Sequence, residues 1–223
     1  MPAPITHLVV AELAFDNFLG YKNRREFYLG NCFPDIRYLG KIRREATHFS
    51  GITLGEIKAE DSFLAGVKFH SWVDGLRMRF VSNYSNFNYW KEILSASGFL
   101  SSNLLPTELR NIDRCLKLLE DAFFYQKKDN WEEVIGFLKS DLLEEELDFG
   151  LSREVIERWR NVLFNYFSQK PDKITRSKFL VALGFTQDQI DWAEDVIAFL
   201  KDRKELRKFI NDFWRFWKEQ LNL

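Results

Sequence analysis

Apolar residues recur along most of this chain at the three- and four-residue spacing of amphipathic helices, not in the strict alternation of exposed strands. In the first third, this spacing predicts a helix over 6–20, with Thr6 as its candidate N-cap, and further helices over 24–31 and 61–84. Downstream, it predicts helices over 107–127, 131–147, 152–168, 175–184, 187–200 and 203–221. The pattern therefore favours an all-α fold.

Few residues interrupt the helical pattern. Pro34 ends the second predicted helix, because proline lacks an amide donor and disfavours helical geometry in the residue before it. Residues 36–60 contain glycines and are predicted to form a loop. The polar residues 82–88 and the Ser- and Gly-containing stretch 95–103 predict two further connections.

The chain shows no repeat of fixed period and no long linker. We therefore expect a single helical domain over 1–223, with a metal site built from N-terminal helices and loops over 1–80 and a helical remainder over 104–223. A boundary near residue 100, which would divide the chain into two small domains, is the alternative.

The composition fits packed helices. Of the 223 residues, 46% are hydrophobic and 22 are Phe, whereas Gly and Pro number only 11 and 5. The 32 basic residues nearly balance the 33 acidic ones, so net charge favours neither nucleic acid nor an anionic membrane as a partner. We expect no specific nucleic-acid recognition, and no transmembrane segment because no run of about 18 apolar residues occurs.

The N-terminal residues lack the basic and apolar regions of a secretory signal, so we expect a cytoplasmic protein. Cys32 and Cys115 can form one disulfide. Two free thiols in a reducing compartment are the preferred interpretation.

Candidate chemistry is concentrated in the first third of the chain, which contains every histidine: His7, His48 and His70. His70 and Asp74 stand four residues apart on a predicted helix, so their side chains project from adjacent turns of one face and can share a metal ion. The alternative is a structural histidine that hydrogen-bonds a carboxylate one turn away.

Asp35 offers a second carboxylate in the loop after Pro34. Imidazole nitrogen and carboxylate oxygen together are a donor set that divalent transition metals favour. Each residue also has a structural alternative: Asp35 can cap a short helix beginning at Ile36, His7 can occupy a helix terminus, and His48 can pack in a loop.

Four segments in this order resemble the zinc-dependent phospholipases C and, more distantly, the related zinc-dependent single-strand nucleases. They are Thr6-His7, Pro34-Asp35 within LGNCFPD, Thr47-His48-Phe49, and His70 to Asp74 within AGVKFHSWVD, and the resemblance covers about residues 1–80. It implies an all-α fold with one zinc held by Asp35, His48, His70 and Asp74, and with Asp74 bridging toward a second ion touched by His7.

The resemblance also implies hydrolysis of a phosphoester or phosphodiester bond, in a small phosphoester or a phospholipid, by metal-bound hydroxide. This chain departs from the family because no histidine follows His70. A third ion is therefore not expected. Mn²⁺ and Fe²⁺ are alternatives to Zn²⁺, because imidazole and carboxylate bind all three.

Lys41, Arg43 and Arg44 lie between Asp35 and His48, where they can receive a phosphate group. The alternative is that these charges form a solvated face. We assign the same solvated role to the acidic residues Glu144, Glu145 and Glu146.

A non-catalytic helical protein, with a structural or relic metal site and a partner-binding surface, is the rival function. The apolar stripe Leu206, Ile210, Phe213 and Trp217 can dock on a membrane or partner, although such a stripe more often faces the core. The HD-type phosphohydrolases are disfavoured because the chain contains no His-Asp dipeptide.

Overall fold

A computed structural model describes residues 3–83, 86–100 and 106–223 of the chain. The all-α prediction is confirmed, since the described residues form helices and no strand. The helices are α1 Pro4–Ala14, α2 Arg24–Cys32, α3 Arg37–Gly40, α4 Leu54–Ala59, α5 Ser62–Asn83, α6 Asn86–Ala96, α7 Pro106–Phe124, α8 Trp131–Lys139, α9 Glu144–Leu147, α10 Arg153–Phe167, α11 Lys173–Ala182, α12 Gln187–Leu200 and α13 Lys204–Gln220. A π-helical turn follows α1, and short 3₁₀ turns lie at Pro34–Ile36, Arg44–Ala46 and Tyr125–Lys127.

Local caps explain where several helices begin. Asn23 accepts a hydrogen bond from the Glu26 amide at the start of α2, and Asp61 accepts one from the Leu64 amide at the start of α5. Thr53 and Glu56 form a reciprocal capping box at α4. The segment 36–60 was predicted to be a loop, but it contains the short helices α3 and α4.

Thr6 is not the N-cap of α1. The helix begins at Pro4, and Thr6 is buried, with its backbone amide and its hydroxyl both donating to Asp121 Oδ1 of α7 at 2.8 and 2.9 Å. The cap prediction is wrong because it used only local sequence, whereas the partner of Thr6 lies 115 residues away.

The predicted helix over 131–147 is two helices, α8 and α9, separated at Ser140. The expected solvated acidic face is also wrong for Glu146, which is buried and pairs with Arg160 of α10. Arg160 also donates to the Ser140 carbonyl, so this buried arginine ties the break between α8 and α9 to α10.

Helix α6 lies between the two predicted connections, where no helix was predicted, and overlaps both of them at its ends. Its Trp90 and Leu94 are fully buried, so this helix contributes to the core despite its Ser- and Asn-rich surroundings. The predicted connections over 82–88 and 95–103 fall partly on residues 84–85 and 101–103, which lie outside the described residues, as do 104 and 105 of the predicted helical remainder.

Helices α2 and α5 cross with their backbones close together. A Cβ added at Gly30 would lie 2.0 Å from the Phe63 carbonyl oxygen, and one added at Gly66 would lie 2.1 Å from the Phe27 carbonyl oxygen. Only glycine permits this approach, because any larger side chain would meet backbone. The crossing brings the C-terminal end of α2 against the first turns of α5, as far as His70.

One continuous hydrophobic core extends from Ile5 in α1 to Leu221 after α13, so the chain forms a single helical domain. Phe213 and Trp217 of α13 are fully buried, and the Trp217 ring packs 6.1 Å from Trp72 of α5. The apolar stripe of α13 therefore faces the core. No helix in the described part of the chain is long and apolar enough to cross a bilayer.

Candidate metal centre

The fold brings together all five residues that the sequence predicted as metal ligands. His7 comes from α1, Asp35 from the 3₁₀ turn after α2, His48 from the loop after the turn Arg44–Ala46, and His70 and Asp74 from α5. His7 Nε2 lies 3.4 Å from Asp74 Oδ1, His48 Nε2 lies 3.7 Å from Asp74 Oδ2, and His70 Nε2 lies 3.6 Å from Asp35 Oδ2. Asp74 is the most accessible of the five, with 13% of its side chain exposed.

The backbone at the end of α2 orients His70. Its Nδ1 lies 2.9 Å from the carbonyl oxygen of Asn31, and a carbonyl can only accept a hydrogen bond. The proton of the neutral imidazole must therefore be on Nδ1, which leaves the lone pair on Nε2. This arrangement is typical of metal-binding histidines, whose second nitrogen donates to a carbonyl or carboxylate.

Thr47 orients His48 by a two-step hydrogen-bond chain. The Thr47 hydroxyl donates its single proton to the Pro34 carbonyl at 2.9 Å and lies 3.0 Å from His48 Nδ1. Because that proton is already used, His48 Nδ1 must be the donor in the second contact. The lone pair of His48 is therefore also on Nε2, the nitrogen that faces Asp74.

His7 stacks on His70, with ring centroids 3.9 Å apart and planes 6° from parallel. The neighbouring Thr6 is anchored to α7 through Asp121, which fixes the first turn of α1 against the core. The stacking places the His7 ring directly against the two ligand candidates of α5.

Asp35 is not a helix cap in this structure. Neither the 3₁₀ turn Pro34–Ile36 nor α3 has a side-chain cap hydrogen bond, and Asp35 is only 5% exposed. Pro34 turns the chain after α2 so that the carboxylate of Asp35 points toward His70. Arg37 lies 3.9 Å from the other carboxylate oxygen.

Three buried histidine nitrogens have no hydrogen-bond partner among the described residues: His7 Nδ1, His48 Nε2 and His70 Nε2. Burial lowers the pKa of His48 to about 4 and that of His70 to about 3, so both rings are neutral near pH 7 and retain their lone pairs. Unpaired buried lone pairs are costly, and a bound cation would satisfy them.

The two carboxylates are ionised. Burial alone would raise the pKa of Asp35 and of Asp74, but nearby cationic and imidazole groups lower both below their usual values, with His70 acting on Asp35 and Lys117 on Asp74. Neutral imidazoles and charged carboxylates are the protonation states that bind a divalent transition metal. The residues present therefore fit such an ion.

The donors form two overlapping groups, each with its ligand atoms within 4.8 Å of one another. One contains His7, His70 and Asp74, and the other contains Asp35, His48 and His70. His70 belongs to both, yet its Nδ1 is committed to Asn31. Only one lone pair of His70 is therefore available to the two groups.

Two cations also contact Asp74. Arg44 Nη2 lies 2.6 Å from Asp74 Oδ2, and Lys117 Nζ lies 3.7 Å from Asp74 Oδ1. Sequence reasoning missed Lys117 because it lies on α7, 43 positions after Asp74, and looks like any charged residue of an amphipathic helix. No local signal in the sequence distinguishes it.

A cleft of about 640 Å³ opens beside the cluster and is lined by His48 and Asp74. Arg44 lines it as well, together with apolar side chains that include Phe49, Trp72 and Met78. Lys41 and Arg43 are exposed and do not belong to the described lining of this cleft, so their predicted contact with phosphate stays a prediction.

No protein-family model, curated protein or solved structure matches this chain. The five predicted ligands and Arg44 nevertheless lie together around the middle of α5, beside an open cleft. Any chemistry assigned to the site therefore depends on the geometry of these six residues.

Proposed function

We propose that this protein is a metal-dependent hydrolase that acts on phosphoesters, with its ion held by His7, Asp35, His48, His70 and Asp74. One observation carries the proposal: the lone pairs of His48 Nε2 and His70 Nε2 are buried without partners and face ionised carboxylates. A purely structural histidine would place such a nitrogen against a hydrogen-bond donor.

We propose one ion per chain. Both overlapping ligand groups depend on the single available lone pair of His70, so one ion shared by the five residues can use it, whereas a second ion would lack this nitrogen. Zinc suits the mixed imidazole and carboxylate donors, and Mn²⁺ or Fe²⁺ would use the same residues.

The cleft favours a catalytic site over a structural one. A structural ion is enclosed by protein ligands, whereas His48 and Asp74 both line an open cavity. When bound, such an ion polarises a phosphoryl oxygen and lowers the pKa of water toward about 7.

The protein's own residues would orient the substrate. Arg44 presents a guanidinium group beside the site, which suits a phosphate, and the apolar side chains of the cleft would exclude water from the reacting group. The phosphoester class rests on this cation and on the resemblance of residues 1–80 to zinc-dependent phospholipases C. A small phosphoester and a phospholipid both fit that class.

The test compares metal-loaded wild type with His48→Ala and His70→Ala on a chromogenic phosphomonoester and a chromogenic phosphodiester. We expect hydrolysis of at least one by the wild type and a loss of about 100-fold or more in each variant. Thr175→Val, which removes a buried hydroxyl of α11, is the matched control and should keep full activity.

Circular dichroism of every variant separates a lost ligand from a lost fold. Stoichiometric metal in the wild type without hydrolysis of either compound would favour the non-catalytic alternative. Activity that survives both histidine substitutions would contradict the proposal.

A further inference from the structure

Arg44 pairs with the carboxylate oxygen of Asp74 that a bound ion would need. Its Nη2 lies 2.6 Å from Asp74 Oδ2, and the same oxygen lies 3.7 Å from His48 Nε2. A cation held by His48 and Asp74 would therefore meet the guanidinium group at close range. Two positive charges cannot share one carboxylate oxygen without strong repulsion, so ion binding must displace Arg44.

The displaced side chain has room to move while its backbone stays in place. The Arg44 carbonyl accepts hydrogen bonds from the amides of Thr47 and His48, so the same turn holds Arg44 and the ligand His48. The Arg44 side chain is 44% exposed and already lines the cleft. A rotamer change is therefore enough to turn the guanidinium group from Asp74 into the cleft.

Asp74 would not lose all of its cationic neighbours in this exchange. Lys117 lies 3.7 Å from the other carboxylate oxygen, Oδ1, and can remain there. In the cleft, the freed guanidinium group can meet the exposed carboxylate of Glu45, which also lines the cavity, or an anion that binds there. A phosphate group suits a guanidinium, because its oxygens accept two parallel hydrogen bonds.

We propose that Arg44 is an exchangeable latch that pairs with Asp74 in the metal-free protein and binds the anionic phosphate group of the substrate once an ion occupies Asp74. The latch rests on the proposed metal centre. It makes phosphate binding and metal binding mutually reinforcing, because each ligand favours the same position of Arg44. The metal-loaded protein thereby selects ligands that carry an anionic phosphate.

The experiment measures zinc affinity by competition with a chromophoric chelator, with and without inorganic phosphate, for wild type, Arg44→Gln and Arg43→Gln. Arg43 is the matched control, since it is an exposed arginine one position away that does not line the cleft. Zinc phosphate species in solution affect all three proteins equally.

We expect phosphate to tighten zinc binding by at least about fivefold in the wild type and in Arg43→Gln. Arg44→Gln should bind zinc more tightly than wild type without phosphate, because the competing cation is gone, and phosphate should not improve its affinity. Equal phosphate effects in wild type and Arg44→Gln, or no effect in wild type, would overturn the latch while leaving the metal centre standing. Absence of zinc binding in the wild type would overturn both.

Discussion

At the scale of single residues, Thr47 determines which nitrogen of His48 is free. Its hydroxyl donates to the Pro34 carbonyl and accepts from His48 Nδ1, so the lone pair of His48 is directed at Asp74. Loss of such an outer partner of a metal-binding histidine typically lowers metal affinity or activity by about 10- to 100-fold.

We therefore predict that Thr47→Val, which keeps the side-chain shape but removes the hydroxyl, weakens zinc binding by about 10- to 100-fold. The measurement is zinc affinity by chelator competition. Thr175→Val removes a buried hydroxyl of α11, a helix that contributes no candidate ligand, and should leave zinc affinity unchanged. An unchanged zinc affinity in Thr47→Val would show that the hydroxyl does not orient His48.

Asp121 gives a second prediction at this scale. Burial raises the pKa of its carboxyl group to about 8, although hydrogen bonds from Thr6 oppose the shift. The folded protein therefore keeps this proton up to about pH 8, whereas the unfolded chain releases it near pH 4. The contribution of this group to the free energy of unfolding is complete below pH 4 and is lost as the pH rises toward and through 8.

Asp121→Asn keeps an oxygen acceptor for Thr6 but cannot ionise. We predict that its stability relative to wild type increases between pH 5 and pH 9, as measured by urea unfolding across that range. A difference that does not change with pH would contradict the raised pKa of Asp121.

The residue contacts also mark the limit of what the sequence predicts. The scarcity of histidine, the four-residue spacing of His70 and Asp74, the carboxylate after Pro34 and the family resemblance over residues 1–80 together indicated the five clustered residues. The roles of Thr6 and Lys117 were not predictable, because their partners on other helices are separated by 115 and 43 positions. Pairings at such separations depend on tertiary packing and leave no local pattern.

At the scale of elements, the crossing of α2 and α5 positions the site. Asn31 at the end of α2 orients His70 of α5, and the backbones approach closely enough for this only because Gly30 and Gly66 lack side chains. A methyl group at Gly66 would lie 2.1 Å from the Phe27 carbonyl oxygen and 2.7 Å from the Asn31 amide nitrogen.

We predict that Gly66→Ala lowers the free energy of unfolding by about 3 kcal/mol, because backbone atoms must move apart to admit the methyl group. Gly75→Ala is the matched control in the same helix, where an added Cβ meets nothing within 4 Å. This control should be neutral or more stable by up to about 1 kcal/mol, owing to the higher helix propensity of alanine. Urea unfolding of both variants checks the prediction, and equal stabilities would contradict it.

The helix predictions were right where apolar residues are regularly spaced. They were wrong where buried apolar residues lie in a polar stretch of sequence, or where a distant residue breaks a helix. The helix predicted over 187–200 matches α12, and that over 203–221 differs from α13 by one residue at each end. Helix α6 was missed because Trp90 and Leu94 are set among Ser and Asn residues. The break between α8 and α9 was missed because Arg160, which holds it, lies on another helix.

At the scale of the whole molecule, the five candidate ligands come from four separate segments of the chain. Helix α1 is tied to α7 through Thr6 and Asp121, and the end of α2 is tied to α10 by the Trp159 indole, which donates to the Cys32 carbonyl at 3.0 Å. The downstream helices therefore support the candidate metal centre without providing any of the five candidate ligands. This division explains why the five candidate ligands, though not Lys117, could be predicted from the first 80 residues alone.

The central claim is that these residues bind a metal ion, and elemental analysis tests it most directly. Wild type purified without chelator, then supplied with zinc and desalted, should contain one ion per chain, whereas His70→Ala and Asp74→Ala should contain almost none while remaining folded. Wild type that carries no metal after purification and takes up neither zinc nor manganese would contradict the account.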